Sequence, residues 1–88
     1  MDWTFEFSET AKKQLKKLDK QVQKRIVQYL RDDIAMLDNP YDKGKVLRGR
    51  FVGYWRYRVG NYRLICDINT KQLLILVIRV AHRKDAYD

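Results

Sequence analysis

Histidine, cysteine and proline occur once each in this 88-residue chain, and glycine four times. These scarcities exclude several chemistries. A single histidine and a single cysteine cannot supply the N/S ligand set of a structural or catalytic zinc site. With Cys66 alone no internal disulfide can form, so the chain reads as reduced and cytoplasmic, and Cys66, inside an apolar strand pattern, reads as a small core residue. No glycine-rich loop is present to cradle a nucleotide phosphate, and no Ser/His/Asp arrangement suggests a hydrolytic triad. The longest apolar run, Leu73 to Ile78, is six residues, whereas a membrane-spanning helix needs about 20. Met1-Asp2-Trp3-Thr4 has no basic segment with an apolar run behind it, so no secretory leader is expected. Acidic residues are also scarce, but only in one half: residues 1–44 hold nine Lys/Arg against eight Asp/Glu, residues 45–88 ten against three.

Nearly all of the net charge of +8 therefore belongs to the second half, where seven of the ten basic residues are arginine. These arginines alternate with aromatics in Tyr54-Trp55-Arg56-Tyr57-Arg58 and Asn61-Tyr62-Arg63, and His82-Arg83 stands close before Tyr87. Arginine offers a planar fork of donors that matches phosphate oxygens, and aromatic rings offer faces on which bases stack. A composition 45% hydrophobic argues for one folded domain over residues 1–88 rather than a disordered basic tail.

The patterning predicts an α+β fold: an N-terminal strand, a two-helix hairpin, then an antiparallel sheet. Trp3, Phe5 and Phe7 alternate with polar neighbours, as in a half-buried strand, and Ser8 is placed to cap a helix. Ala11, Leu15, Leu18, Val22, Ile26, Leu30, Ile34 and Leu37 recur at helical spacing, with a break expected near Asp19, a second candidate cap. Asn39-Pro40-Tyr41-Asp42-Lys43-Gly44 ends the helices. Short strands are then predicted over 46–50, 54–59, 62–68 and 73–81, the last apolar on both faces and so central.

Alternation along these strands places Tyr54, Arg56 and Arg58 on one face and Trp55, Tyr57 and Val59 on the other. Arg63 lies opposite the apolar set Tyr62, Leu64, Cys66 and Ile68, so Arg56, Arg58 and Arg63 converge if the two faces match. Like charges crowded in this way are destabilising unless an anion joins them. Residues 73–81 are too apolar for their phase to be read, but the strand's end delivers Arg79, His82 and Arg83 to a rim. Lys12, Lys13, Lys16 and Lys17 lie off the apolar helix face and can meet RNA phosphates or remain solvated.

Taken together, the aromatic strand leading into a Lys-rich helix, Lys45-Val46-Leu47-Arg48-Gly49, Tyr54 to Ile65, and Val80-Ala81-His82-Arg83-Lys84-Asp85-Ala86-Tyr87 resemble the RelE/ParE superfamily of bacterial toxins, and its RelE-type mRNA interferases in particular. The resemblance covers the whole chain. It implies the element order β-α-α-β-β-β of a microbial-ribonuclease-like fold, cleavage of mRNA in the ribosomal A site without a cofactor, and neutralisation by a cognate acidic antitoxin that can carry the complex to operator DNA. It further implies that Arg63 grips phosphate, that Arg83 contacts the scissile phosphate or acts as acid, and that Tyr87 is the C-terminal catalytic tyrosine. Arg56 stands where the best-studied members place a basic residue, and an arginine cannot easily act as a base because its pKa exceeds about 12. His82, whose unperturbed pKa is about 6.5, is a further catalytic candidate.

The reaction so implied is attack of an RNA 2′-hydroxyl on the adjacent phosphorus, giving a 2′,3′-cyclic phosphate and a 5′-hydroxyl. Tyr54, Arg58, Arg48, Lys45 and the four helix lysines would hold mRNA and rRNA. Two alternatives differ in class: a ParE-type inhibitor of DNA gyrase, and a non-catalytic RNA-binding module.

Overall fold

Local chemistry explains each element of the computed structural model, which describes residues 3–85. Strand β1 (Thr4–Phe7) turns Phe5 and Phe7 to the core and exposes Thr4 and Glu6. Ser8 then does three things. Its N–H donates to the Val77 carbonyl (2.9 Å), its Oγ accepts from the Ala11 N–H (3.1 Å), and the same hydroxyl donates to the Ile78 carbonyl (3.2 Å). One residue thus starts helix α1 (Glu9–Lys16) and fastens it to the sheet.

Helix α1 ends where the Leu18 N–H falls back to the Leu15 carbonyl at 3.1 Å, and Gln23 Nε2 donates to the freed Leu18 carbonyl at 2.8 Å. Helix α2 (Lys20–Gln28) follows. Asp19 occupies its cap position as expected, but with its backbone alone: the Asp19 carbonyl accepts from the Gln23 N–H, and its carboxylate makes no capping bond. The helix widens into a π-turn over Tyr29–Ile34, closed by the Ala35 N–H donating to the Leu30 carbonyl at 2.7 Å. The predicted apolar stripe is the packed one. Ala11, Ile26, Leu30 and Ile34 are buried, and Leu15, Leu18, Val22 and Leu37 pack partly buried against them.

The sheet has the order β1-β5-β4-β3-β2, with β2 at Lys45–Val46, β3 at Trp55–Val59, β4 at Tyr62–Asn69 and β5 at Leu74–His82. Strands β2 to β5 form the predicted antiparallel array, and β5 has a neighbour on each side. β1 joins β5 in parallel, because the two helices carry the chain back across the sheet before it resumes. The strand expected over 46–50 is corrected to Lys45–Val46: Leu47 is buried, and the chain then leaves the sheet in a 3₁₀ turn at Gly49–Phe51, with Gly49 at φ +67°.

Aromatic donors fix the crossover from helix to sheet. The fully buried Tyr57 hydroxyl donates to the Pro40 carbonyl (2.7 Å), Trp55 Nε1 to the Lys43 carbonyl (2.6 Å), and Trp3 Nε1 to the Asp38 carbonyl (3.4 Å). Gly44 lies between them at φ +83°, and a Cβ there would collide with the Arg56 carbonyl oxygen and the Trp55 indole. Trp55, which alternation places on the face opposite Tyr54, Arg56 and Arg58, is thereby tied to the core side.

A β-bulge decides which way the end of β5 faces. Ile65 pairs with Arg79 but Cys66 pairs with Val77, so Ile78 is an extra residue. Ile75 and Val77 face the helices before the bulge, and Val80 faces them after it. Without that inserted residue Arg79 would share the side of Val77 and point into the core.

Candidate functional site

The sheet face away from the helices collects the arginines. Arg58 lies directly across from Arg63 in the β3–β4 ladder, Arg56 pairs with Ile65, and Lys45 pairs with Arg56, so all four basic residues share one side. Arg56 is only 8% exposed, and the Nε atoms of both Arg56 and Arg63 are buried. Burial, followed by the positive charges of Arg63 and Arg58, pushes the Arg56 guanidinium below its ordinary range. It stays a cation at neutral pH.

The bulge adds Arg79 to this face, opposite Ile65. Arg79 lies over the Phe51 ring at 5.6 Å, Arg50 approaches the same ring at 5.8 Å, and the Phe51 and Tyr54 rings lie 6.5 Å apart. The Gly49–Phe51 turn therefore places aromatic surface beside the cations, and Leu47 and Ile65 are buried outside the main core. Arg79 and Phe51 were not among the sequence-derived site residues. The signal that could have found Arg79 is a charged residue in an otherwise apolar strand, which requires a change of phase to reach solvent.

Arg83 is exposed and begins a 3₁₀ turn over Arg83–Asp85; its N–H donates to the Asn61 carbonyl at 2.7 Å. It follows by two residues Ala81, the ladder partner of Arg63, so its backbone leaves the sheet at the end where Arg58 and Arg63 sit. Tyr87 lies outside the described residues. Arg48 is exposed where the chain leaves β2.

Two groups of sequence candidates lie elsewhere. His82 pairs with Tyr62 on the helix side, its ring edge-to-face with the Tyr62 ring at 5.3 Å, and it borders a recess of about 320 Å³ with Gln14, Lys17 and Leu18. Lys12, Lys13, Lys16 and Lys17 are exposed on and just after α1, the layer behind the sheet, with Lys12 paired to Glu9 at 3.5 Å. Cys66 is fully buried and its thiol is pushed up by burial, as a core residue should be. Among the described residues no group of three His, Cys, Asp or Glu is placed to hold a metal ion, and no helix is long and apolar enough to cross a membrane.

Comparison with known proteins agrees with this geometry. The family model described as "ParE toxin of type II toxin-antitoxin system, parDE" matches residues 5–87. The chain is 32% identical over 87 residues to Toxin RelG of Mycobacterium tuberculosis, covering 99% of this chain and 98% of that protein. It is 33% identical over 85 residues to Toxin RelE3 of Methanocaldococcus jannaschii, covering 93% and 92%. Among solved structures, the toxin–antitoxin complex RelBE2 from Mycobacterium tuberculosis contains a chain that superposes with a TM-score of 0.83 at 30% identity, over 94% of this chain and all of that one. A basic sheet face backed by two helices is thus carried by a chain that belongs to the RelE/ParE superfamily, as a RelE-like toxin of a type II toxin–antitoxin system.

Proposed function

We propose that the chain is a ribosome-dependent mRNA endoribonuclease whose active site is the arginine face of the sheet. The observation that carries this reading is the convergence of Lys45, Arg56, Arg58, Arg63 and Arg79 on one face of the sheet, beside the Phe51 and Tyr54 rings. A fold that confines like charges at the end of a hairpin has built a site for a polyanion, and the charge developing on a phosphorane is the anion such a site serves best.

The RNA 2′-hydroxyl attacks the adjacent phosphorus, the bond to the 5′-oxygen breaks, and a 2′,3′-cyclic phosphate and a 5′-hydroxyl result. Arg56, Arg63 and Arg83 stabilise the equatorial oxygens, and Tyr87 orients or deprotonates the nucleophile. Tyr54 and Phe51 offer rings to a neighbouring base, while Arg58, Arg48 and Lys45 meet flanking phosphates. Lys12, Lys13, Lys16 and Lys17, on the layer behind, meet rRNA and steer the toxin to the ribosome in the bacterial cytoplasm. An acidic antitoxin neutralises the toxin by covering the basic face, and the complex reaches operator DNA through that antitoxin.

The test is a translation extract supplied with the toxin, with mRNA 5′ ends mapped. New ends at ribosome-occupied codons support the reading. Whole mRNA with blocked DNA supercoiling would assign gyrase poisoning instead, and whole mRNA with tight RNA binding a non-catalytic module.

A further inference from the structure

His82 is adjacent to Arg83, and the bulge at Ile78 sets its side of the sheet: Val80 and His82 follow the helix side, Arg79 and Ala81 the arginine side. Its ring therefore lies on the side of the sheet away from Arg56, Arg58 and Arg63. What it does touch is specific. Its Nδ1 accepts from the Lys84 N–H at 3.2 Å, and its ring is seated at 86° to the Tyr62 ring. The intervening residue, Arg83, donates its N–H to the Asn61 carbonyl at 2.7 Å. An accepting Nδ1 carries no proton, which leaves Nε2 as the protonated nitrogen.

These contacts determine where the chain goes as it leaves β5. An extended backbone would continue along the sheet edge; the Nδ1 bond closes a side-chain turn, of the kind Asn and Asp make, and starts the Arg83–Asp85 3₁₀ turn. We propose that His82 is a positioning residue: with its ring held by Tyr62 and its Nδ1 by the Lys84 amide, it sets the turn that carries Arg83 off the end of β5 beside the arginine face. The inference rests on the nuclease reading for its kinetic consequence, but not for its structural one.

Three variants of the full chain separate the roles. In His82→Asn, Oδ1 takes the place of Nδ1 and can accept from the Lys84 N–H. In His82→Gln the amide lies one bond further out, and in His82→Ala the acceptor is gone. Single-turnover cleavage on programmed ribosomes should be near parental for His82→Asn, with an unchanged pH profile. His82→Gln and His82→Ala should slow by up to about 10²-fold through misplacement of catalytic groups, with KM little altered. Amide exchange at Lys84, read by NMR without any substrate, should speed up by about 2- to 10-fold in His82→Ala and His82→Gln, as for one lost hydrogen bond, and stay slow in His82→Asn.

Loss of roughly 10²- to 10⁴-fold in both His82→Asn and His82→Gln, with one limb of the pH profile removed, would make His82 the acid and overturn the proposal. Equal exchange at Lys84 in all four proteins would overturn it as well. A parental protein that leaves mRNA whole sinks the nuclease reading alone, and the exchange series still decides whether His82 holds the turn.

Discussion

Replacing Arg63 by methionine should abolish toxicity while leaving the fold intact. Arg63 faces Arg58 directly across the β3–β4 ladder, and its charge helps to depress Arg56. A like-charged pair in that position costs about 0.2–1 kcal/mol. The side-chain stem is partly covered and Nε is buried, so Arg63→Ala gives up apolar burial at about 0.8 kcal/mol per methylene, which outweighs the relief. Methionine keeps an apolar stem and removes the guanidinium with its charge and donors. The net change should stay within about 1 kcal/mol, that is within roughly 4–8 °C in Tm for a domain of this size. It should shrink in 1 M salt, where the screening length falls to about 3 Å. Loss of one phosphorane contact should slow cleavage by about 10²- to 10³-fold. Thermal melts at low and high salt, paired with growth on induced expression, read both effects. An Arg63→Met protein that melts well below the parent, or that still arrests growth at the parental dose, would refute the reasoning.

Other outcomes follow from the core. Burial raises the Cys66 thiol above its unfolded value, so its contribution to stability is complete below about pH 8.5 and is lost at about 1.4 kcal/mol per pH unit above it; urea midpoints between pH 8 and 10 should show this decline in the parent and a flatter line in Cys66→Ala. Tyr57→Phe deletes the donor to the Pro40 carbonyl at a fully buried position and should cost about 1–3 kcal/mol in denaturant unfolding, with the m-value unchanged. Gly44→Ala must hold φ near +83° and displace the Trp55 indole, adding at least about 1–2 kcal/mol of strain, visible as a lower Tm together with altered tryptophan fluorescence.

Periodicity made the helix layer legible: the stripe from Ala11 to Leu37 needs only a 3.6-residue repeat to be seen, and its members pack against the sheet. The convergence of Arg56, Arg58 and Arg63 was legible for a similar reason, since two strands joined by Gly60-Asn61 have few registers that keep both apolar faces buried. Strand β5 was not. Its residues are apolar on both sides, and the bulge at Ile78 reverses the phase between Val77 and Val80, so neither the arrival of Arg79 on the arginine face nor the turn of His82 away from it follows from alternation. Pairing of β1 with β5 in parallel joins residues about 70 positions apart in sequence, beyond the reach of local pattern. The short β2 follows from Leu47 being buried and Gly49 adopting positive φ, and only the second of these has a sequence sign.

The central claim is that the arginine face carries out transesterification on mRNA. The most direct measurement uses ribosomes programmed with a short mRNA bearing a single 2′-deoxynucleotide immediately 5′ of the mapped cleavage position, beside its all-ribose counterpart. The account predicts a 2′,3′-cyclic phosphate and a 5′-hydroxyl from the all-ribose message, no cut at the deoxy position, and the same products formed about 10²- to 10³-fold more slowly with Arg63→Met. Cleavage of the deoxy message at the parental rate, or a parental protein that leaves both messages whole while blocking gyrase supercoiling, would contradict it.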